Sequence, residues 1–274
     1  MILYMSDLDG TLLTSEQKLS QETVRTINDL IENGLSFSIA TARSLDSAAK
    51  LIAPLRLELP MVLFNGAFVY DPVRKENIVS NFLSKEEADR ILDTYEENGI
   101  SAIVYTVGER GEQKVYYKGI FNKGEEDYIR SRTANGDRRF RQTDDFAAAK
   151  REQVIMINAI HTKEVLDPMQ GLFGKDKQVS CHYSKDIYSG FYWLELSHAN
   201  CTKRKGVETV KRLVGAEKLV CFGDQLNDIP MFEIADEAYA VAGAHPRVKA
   251  LATNVIGSND DDGVARFLRE TYTH

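Results

Sequence analysis

Two short segments of the chain bring carboxylates together directly after an apolar run. The first is ILYMSDLDGT, in which Asp7 and Asp9 stand two residues apart and Gly10 follows them. The second is LVCFGDQLND, in which Asp224 and Asp228 share a glycine-led loop. Carboxylates held so close together repel each other, and a bound cation or a shared proton must relieve that repulsion. These residue types therefore favour oxygen coordination of a divalent cation.

Each segment alone is more typical of a solvated turn. A calcium loop is a second interpretation of the first segment, but that loop has Gly at its sixth position and an acidic residue at its twelfth. Counted from Asp7, these positions hold Leu12 and Lys18, which excludes it. Together the two segments are interpreted as halves of one Mg²⁺ site, because Mg²⁺ prefers oxygen ligands and is typically held by one or two carboxylates plus phosphate oxygens. The predicted ligands are the side chains of Asp7 and Asp224 and the backbone carbonyl of Asp9.

Two further positions offer ligands for phosphate. Thr41, in IATAR, supplies a hydroxyl and the amides of its loop, and Lys203, in NCTKRKG, supplies a cation at a predicted helix start. Neither residue is diagnostic alone, because most such Thr residues cap helices and most Lys residues are solvated.

The elements that must position these residues alternate between strand and helix. The apolar, β-favouring runs are ILYMS, LSFSIA, MVLF, LVCF and YAVA, each followed by a polar loop. Between them, residues 20–34 predict an amphipathic helix with Ser20 as N-cap and Gly34 at its end, and further helices are predicted near 44–52, 203–214 and 228–235. This alternation predicts an α/β fold with a doubly wound parallel sheet, in which ligands bind at the carboxyl ends of the strands.

Residues 83–188 follow a different pattern. A helix-like segment, SKEEADRILDTYEENG, precedes the β-rich runs AIVYTV and KVYYKG, a charged helical stretch, and the runs VIMINAI and VSCHYS. We interpret 83–188 as an α+β domain inserted between two core segments, 1–82 and 189–274, with the core alternation expected to resume at FYWLELS.

Composition excludes several classes of protein. A formal charge of -7 and a pI near 5.4 argue against nucleic acid as the main partner. The N-terminus has no basic leader, and no apolar run approaches the roughly 20 residues that cross a bilayer, so no membrane partner and a cytoplasmic location are expected. The three cysteines show no CxxC spacing and predict reduced core thiols.

The four polar motifs resemble those of the haloacid dehalogenase superfamily of phosphohydrolases. Its DxDGT motif matches residues 7–11, its strand-end Thr or Ser matches Thr41, its Lys matches Lys203, and its GDxxND motif matches residues 223–228. The position of the 83–188 insert, between the second and third motifs, resembles the α+β (type C2) cap of the Cof-type subfamily. NGA at 65–67 and DGVA at 262–265 also resemble that subfamily.

The resemblance implies a Mg²⁺-dependent phosphatase in which Asp7 attacks phosphorus and becomes an aspartyl phosphate, while Asp9 acts first as general acid and then as general base. It implies that the cap excludes water and selects the leaving group. The residues that it places around phosphate are Thr41, Ala42, Lys203 and Asn227, the metal ligands are Asp7, Asp9 and Asp224, and the supporting residues are Asp228, Arg43 and Asn65.

Two positions depart from the family pattern or leave a choice. Ala42 stands where the subfamily usually has Gly, and Lys205 competes with Lys203 as the phosphate-binding lysine.

The expected substrate is a small phosphorylated metabolite, with sugar phosphates first, and the expected state is a monomer or a small homo-oligomer. A phosphotransferase or phosphosugar mutase on the same core, and a phospho-aspartate signalling or binding module, are the alternative functions.

Overall fold

The computed structural model describes residues 1–134, 136–186 and 189–272. The chain divides into two units. The core unit comprises Met1–Ser80 and Asn200–His274, and the inserted unit comprises Asn81–Ala199.

The core unit is built on a five-stranded parallel sheet and a small antiparallel sheet. Its strands are β1 (Ile2–Ser6), β2 (Ser36–Ile39), β3 (Met61–Leu63), β4 (Phe68–Asp71), β5 (Glu76–Ser80), β12 (Lys218–Gly223), β13 (Glu237–Ala240) and β14 (Asn254–Val255). The parallel sheet has the order β14-β13-β12-β1-β2, and the antiparallel sheet has the order β3-β4-β5. A parallel bridge between Ala40 and Val62 continues the first sheet towards β3.

The order of the parallel sheet reverses between β1 and β12. From β1 the chain moves outward to β2, whereas from β12 it moves in the opposite direction to β13 and β14. Ligands bind in open α/β sheets where the carboxyl ends of strands meet such a reversal. The predicted α/β fold with a parallel sheet is therefore confirmed, and its reversal lies between the strands that precede Asp7 and Asp224.

Six helices belong to the core unit among the described residues: α1 (Gln21–Glu32), α2 (Leu45–Ile52), α6 (Lys203–Val214), α7 (Ile229–Phe232), α8 (Pro246–Leu251) and α9 (Gly263–Thr271). The Ser20 side chain caps α1 by accepting a hydrogen bond from the Thr23 amide at 2.9 Å, which satisfies a donor that the helix itself leaves unpaired. The predicted helices at 20–34, 44–52 and 203–214 are confirmed within a residue or two at each end.

The inserted unit is a six-stranded sheet with three helices among the residues described. Its strands are β6 (Ile103–Val107), β7 (Gln113–Tyr117), β8 (Phe140–Gln142), β9 (Gln153–His161), β10 (Val179–Lys185) and β11 (Tyr192–His198), and its helices are α3 (Lys85–Glu97), α4 (Lys123–Ala134) and α5 (Lys163–Phe173). The order is β10-β11-β9-β6-β7-β8, antiparallel except for the β7–β8 pair. Side chains alternate across the sheet, so Ile157, Leu194 and Leu196 share a buried cluster with Ile91 of α3 and Leu166 of α5.

The assignment of FYWLELS to the core was wrong. Strand β11 pairs antiparallel with β9 and β10, so it lies inside the sheet of the inserted unit. Residue 188, where the sequence predicts the end of the insert, lies outside the described residues, and the contact boundary falls between Ala199 and Asn200.

Within the described ranges, no helix combines the length and apolar character needed to cross a membrane.

Candidate active site

The first carboxylate of the site lies where β1 ends. Asp7 directly follows β1, and its amide donates a hydrogen bond to the Phe222 carbonyl of β12 at 3.0 Å. The chain then turns sharply through Gly10, whose φ of 73° lies in the left-handed region. A Cβ at Gly10 would stand 2.5 Å from Asp224 Oδ2, so glycine permits the close approach of the two acidic loops.

A buried lysine connects the two loops. Lys203 is the first residue of α6, and its side chain is 0% exposed. Its Nζ lies 2.6 Å from Asp7 Oδ1 and 2.6 Å from Asp228 Oδ1. Lys205 instead pairs with Glu208 at 3.2 Å and is largely exposed. Of the two lysines that the sequence left open, Lys203 is the one at the carboxylates.

Asp228 holds the second loop in place through its other oxygen. Asp228 Oδ2 accepts hydrogen bonds from the amides of Asp224 at 2.8 Å and Gln225 at 2.9 Å. With Lys203 on Oδ1, both oxygens of Asp228 have donors. Its geometry is therefore that of a residue that orients Lys203 and the loop.

Burial dominates the electrostatics of the carboxylates. It raises the pKa of Asp7 well above its usual range; Lys203 opposes this shift, and the charges of Asp228 and Asp224 add to it. Burial and then Asp228 raise the pKa of Asp224 to about 6, against a hydrogen bond from Thr11. Burial of Lys203 disfavours its charge, but Asp228 and Asp7 outweigh that effect and raise its pKa. Lys203 thus stays charged, but its single positive charge does not balance the neighbouring carboxylates of Asp7, Asp224 and Asp228.

The carboxylates fit a divalent cation. One oxygen from each of Asp7, Asp224 and Asp228 lies within 4.8 Å of the others, and all three residues are buried. A cation would remove the repulsion that raises two of their pKa values, and oxygen donors are the ligands that Mg²⁺ prefers. Asp228 accepts three hydrogen bonds, from Lys203 and two backbone amides, whereas Asp224 accepts two and Asp7 accepts one. Asp7 and Asp224 therefore keep more lone pairs for a cation and are the better-placed side-chain ligands. The backbone carbonyl of Asp9 stays a predicted ligand.

Asp9 lies in a different environment from Asp7. Its side chain is 44% exposed, and both its oxygens accept hydrogen bonds from Arg43, at 2.7 Å from Nε and 2.5 Å from Nη2. The same Nη2 donates to Gln17 Oε1 at 2.9 Å. Bidentate pairs of this kind fix orientation as well as supply attraction. Arg43, predicted as a supporting residue, therefore orients Asp9 in this structure.

The predicted phosphate-binding residues lie at the neighbouring strand ends. Thr41 is buried, and its Oγ1 accepts a hydrogen bond from the Arg43 amide at 3.1 Å. Asn65 has a left-handed backbone with φ of 52°, and its Oδ1 accepts a hydrogen bond from Asn227 Nδ2 at 3.1 Å. Ala42 is exposed and is not among the described residues with positive φ, so its backbone does not require the glycine usual in the subfamily.

Comparison with known proteins identifies the family. The family model described as haloacid dehalogenase-like hydrolase matches residues 4–268. The chain belongs to this family. The resemblance predicted from the motifs is confirmed, and the protein is an enzyme of the haloacid dehalogenase-like hydrolases.

Similar haloacid dehalogenase-like proteins include named phosphatases. The 5-amino-6-(5-phospho-D-ribitylamino)uracil phosphatase YitU of Bacillus subtilis (strain 168) is 26% identical over 273 residues, covering 97% of this chain and 96% of that protein. The pyridoxal phosphate phosphatase YbhA of Escherichia coli (strain K12) is 26% identical over 285 residues, covering 98% of this chain and 96% of that protein. A haloacid dehalogenase-like hydrolase of Bacteroides thetaiotaomicron has the same fold, with a TM-score of 0.81 at 22% identity over 98% of this chain and 99% of that one.

Two contacts of the haloacid dehalogenase motifs were missed by sequence reasoning. Thr11 Oγ1 donates to Asp224 Oδ1 at 2.7 Å, and Gln225 Nε2 donates to Asp224 Oδ2 at 3.1 Å. The position of Thr11 in the DxDGT motif could have indicated a role for its hydroxyl in the site, although the motif does not show which carboxylate the hydroxyl contacts. Asp262 of the DGVA segment accepts hydrogen bonds from Ser20 and Thr23, so it ties the last helix to α1 rather than entering the site.

Proposed function

We propose that the protein hydrolyses phosphomonoesters of small metabolites with Mg²⁺, through a phosphorylated Asp7. The observation that carries the proposal is the buried Asp7–Lys203–Asp228 arrangement beside Asp224, in which Asp7 Oδ1 is paired with the lysine. No hydrogen bond to Asp7 Oδ2 is found among the described residues, so this oxygen is available for attack.

Asp7 and Asp224 would hold Mg²⁺. When bound, Mg²⁺ neutralises phosphate charge and polarises the phosphoryl group. Lys203 adds a fixed positive charge beside the attacking carboxylate, and Asp228 keeps the Lys203 ammonium directed at Asp7.

The first chemical step transfers the phosphoryl group to Asp7. A carboxylate oxygen of Asp7 attacks phosphorus in line with the ester oxygen, the phosphorus–oxygen bond to the metabolite breaks, and the departing alkoxide takes a proton from Asp9. Thr41 and Asn227 are proposed to orient the phosphate oxygens with the loop amide at Ala42, and Asn65 to hold Asn227.

In the second step water hydrolyses the aspartyl phosphate. Water attacks phosphorus and gives a proton to the Asp9 carboxylate, so Asp7 is released with inorganic phosphate. Arg43 donates one hydrogen bond to each oxygen of Asp9, and each oxygen keeps a further lone pair that can exchange a proton with substrate or water.

The substrate class follows from the relatives. YitU is named for a ribityl-bearing phosphate ester and YbhA for pyridoxal phosphate, and both names specify small phosphorylated metabolites. We propose a substrate of this class, a sugar phosphate or related compound. The cytoplasmic location, the absence of nucleic-acid and membrane partners, and a monomeric or small homo-oligomeric state remain predictions.

Phosphate release from a panel of metabolites tests the proposal. The panel contains sugar phosphates, pyridoxal phosphate, the phosphoribitylaminouracil and a generic aryl phosphate, each with Mg²⁺ or with EDTA. We expect release to require Mg²⁺ and to disappear in Asp7→Asn, while the matched variant Asp29→Asn, on the exposed face of α1, retains it.

The covalent step has its own readout. Rapid acid quenching followed by mass spectrometry should find one phosphoryl group on the peptide containing Asp7, with a larger fraction in Asp9→Asn if the second step slows more than the first. Adding sugar acceptors tests the mutase alternative, because transfer would yield a new sugar phosphate at the expense of inorganic phosphate. A folded protein that releases no phosphate from any compound, with Mg²⁺ present, would contradict the proposed function.

A further inference from the structure

An open cavity lies beside the second half of α3, within the inserted unit. Its volume is about 540 Å³, and all the residues that line it belong to the inserted unit. Besides α3, the lining comes from residues 99–102 before β6, from residues 118 and 121 after β7, and from residues 145–147 and 150. Small-molecule sites have volumes of about 300–1,000 Å³. The α3 cavity, as we name it, therefore has the size of a ligand site.

Small residues leave the α3 cavity unfilled. Gly99 follows the C-cap of α3 with a φ of 65°, and a Cβ at this position would have no other atom within 4 Å. Ser101, Ala102 and Ala147 also line the cavity. The lining thus leaves an open, preformed space, as is usual for small-molecule sites.

The apolar part of the lining is both buried and exposed. Leu92, Ile100 and Phe146 are at most 9% exposed and belong to the buried cluster of the inserted unit. Phe121, by contrast, is 69% exposed. An apolar molecule in the cavity would remove part of this surface from water, which favours binding. A flat aromatic ring suits a lining that contains Phe121 and Phe146, because aromatic rings pack favourably against one another.

The charged groups of the lining disfavour an anion. Lys118 Nζ lies 3.3 Å from Glu96 Oε1. Lys150 Nζ lies 3.5 Å from Asp93 Oδ1. Asp145 adds a third carboxylate, so carboxylates outnumber the ammonium groups in the lining. An anion would compete with these carboxylates for both lysines. The ligand that fits is therefore uncharged, unlike the phosphorylated metabolites that we propose as substrates.

One hydroxyl of the lining has no hydrogen-bond partner within the part of the chain that the structure describes. This group is Ser101 Oγ, which is buried. Native proteins rarely leave a buried hydroxyl unpaired, because its lost hydration is not replaced. A serine hydroxyl can accept a hydrogen bond from an N–H or O–H group. A ligand with one such group would supply the partner that Ser101 lacks.

We propose that the α3 cavity binds a small, uncharged aromatic or heteroaromatic molecule that carries one N–H or O–H group. The apolar residues of the lining contact the ring, and Ser101 Oγ accepts the hydrogen bond. No residue of the candidate active site lines this cavity, so the proposal does not rest on the proposed function.

Amide chemical shifts in an NMR titration with indole test both the binding and its place. Indole is flat and uncharged, and it carries one N–H group. We expect saturable shifts at the amides of Gly99, Ser101 and Phe146, with a dissociation constant of about 1 mM or below for a ligand of this size. The proposal is overturned if indole produces no saturable shift at these amides.

Ser101→Ala tests the hydrogen bond, with indene as the matched ligand that has the shape of indole but no N–H group. The natural protein should bind indole about fivefold to tenfold more tightly than indene, the contribution of one good hydrogen bond. Ser101→Ala should lose this preference and keep or slightly raise the melting temperature, because the hydroxyl that it removes is unpaired. Ser131→Ala removes a hydroxyl of α4 that donates to the Tyr128 carbonyl outside the cavity, and it should keep the preference.

Indole-3-acetate tests the charge of the ligand. The added carboxylate should raise the dissociation constant at least tenfold relative to indole, because it meets the carboxylates of the lining. Tighter binding of indole-3-acetate than of indole would overturn the proposed ligand class. An equal preference for indole over indene in the natural protein and in Ser101→Ala would overturn the role of Ser101. Both results are independent of whether the enzyme releases phosphate.

Discussion

Replacing Asp224 by Asn should stabilise the metal-free protein and abolish its stabilisation by Mg²⁺. Asp224 is buried in a cluster whose carboxylates outnumber the single ammonium of Lys203. Asn removes one negative charge, and its amide oxygen can still accept the hydrogen bond from Thr11 that Asp224 Oδ1 accepts. The same change removes a carboxylate that we propose as a metal ligand.

The magnitude follows from the raised pKa of Asp224, about 6 in the folded protein against an ordinary value of 3.8. Below pH 3.8 the Asp224 carboxyl is protonated in both the folded and the unfolded protein. As the pH rises from there through about 6, the unfolded protein loses this proton more readily, so the folded state becomes less stable relative to the unfolded state. At neutral pH the loss is about 3 kcal/mol, from about 1.4 kcal/mol per pKa unit. For a protein of this size, a loss of about 3 kcal/mol lowers the melting temperature by at most about 6–12 °C. The rise in melting temperature of the Asp224→Asn variant is smaller than this, because the amide nitrogen of the new Asn side chain replaces the oxygen that accepts a hydrogen bond from Gln225 Nε2.

Thermal unfolding at two pH values measures both effects. At pH 7.5 with EDTA, Asp224→Asn should melt several degrees above the natural protein. With Mg²⁺ at about 100 times its Kd, the natural protein should gain about 3 kcal/mol and the variant almost nothing. At pH 5 with EDTA, protonation of Asp224 should bring the natural protein closer to the variant. Asp29→Asn, on the exposed surface of α1, serves as the charge-matched control.

Two results would refute this reasoning. If the variant melts below the natural protein in EDTA at pH 7.5, the buried charge of Asp224 is compensated by contacts other than a metal. If Mg²⁺ stabilises the variant and the natural protein equally, Asp224 is not a ligand of the ion.

Three further substitutions test the contacts around the carboxylates. Lys203→Met should abolish phosphate release and lower the free energy of unfolding, measured in urea, by about 3–5 kcal/mol, because it leaves buried carboxylates unpaired. Lys205→Met, at an exposed lysine, should change neither phosphate release nor the free energy of unfolding. Arg43→Ala should lower kcat about tenfold or more with little change in KM, because Asp9 loses its bidentate partner. Arg43→Lys should recover only part of the lost kcat. An unchanged kcat in Arg43→Ala would exclude a positioning role for Arg43. Thr11→Val should weaken Mg²⁺ binding roughly tenfold in a calorimetric titration, because Asp224 loses a hydrogen bond that orients it, and equal affinity would contradict that.

Local patterns predicted the strand ends of the core and three of its helices, α1, α2 and α6, whereas the helix predicted near 228–235 is shorter in the structure, as α7. The Ser20 cap and the apolar spacing that follows it define α1 by contacts within one turn, so the sequence contains all the information that its start requires. The same holds for α6, which places Lys203 at its first residue. Parallel neighbours β1 and β12 then bring Asp7 and Asp224 together, because their carboxyl ends share one edge of the sheet.

Features that depend on a distant partner could not be predicted in this way. The alternation of Leu194 and Leu196 in β11 fits any sheet with one buried face, and only pairing with β9 assigns the strand to the inserted unit. The contact of Arg43 with Asp9 joins two loops 34 residues apart, and neither residue has a local signal for the other. Polar contacts across loops are therefore the part of the site for which a structure was needed.

The surroundings of the two carboxylates of the first motif support the two chemical roles that we propose for Asp7 and Asp9. Asp7 is buried against Lys203, so its carboxylate has a neighbouring positive charge and little water, which suits a nucleophile that must attack an anionic phosphoryl group. The side chain of Asp9, further along the same loop, is 44% exposed, whereas the Arg43 side chain that holds it is mostly buried. A group that must give a proton to a leaving group and later take one from water needs this access. The proposed division between nucleophile and acid–base catalyst thus rests on the surroundings of the two side chains, since both are carboxylates.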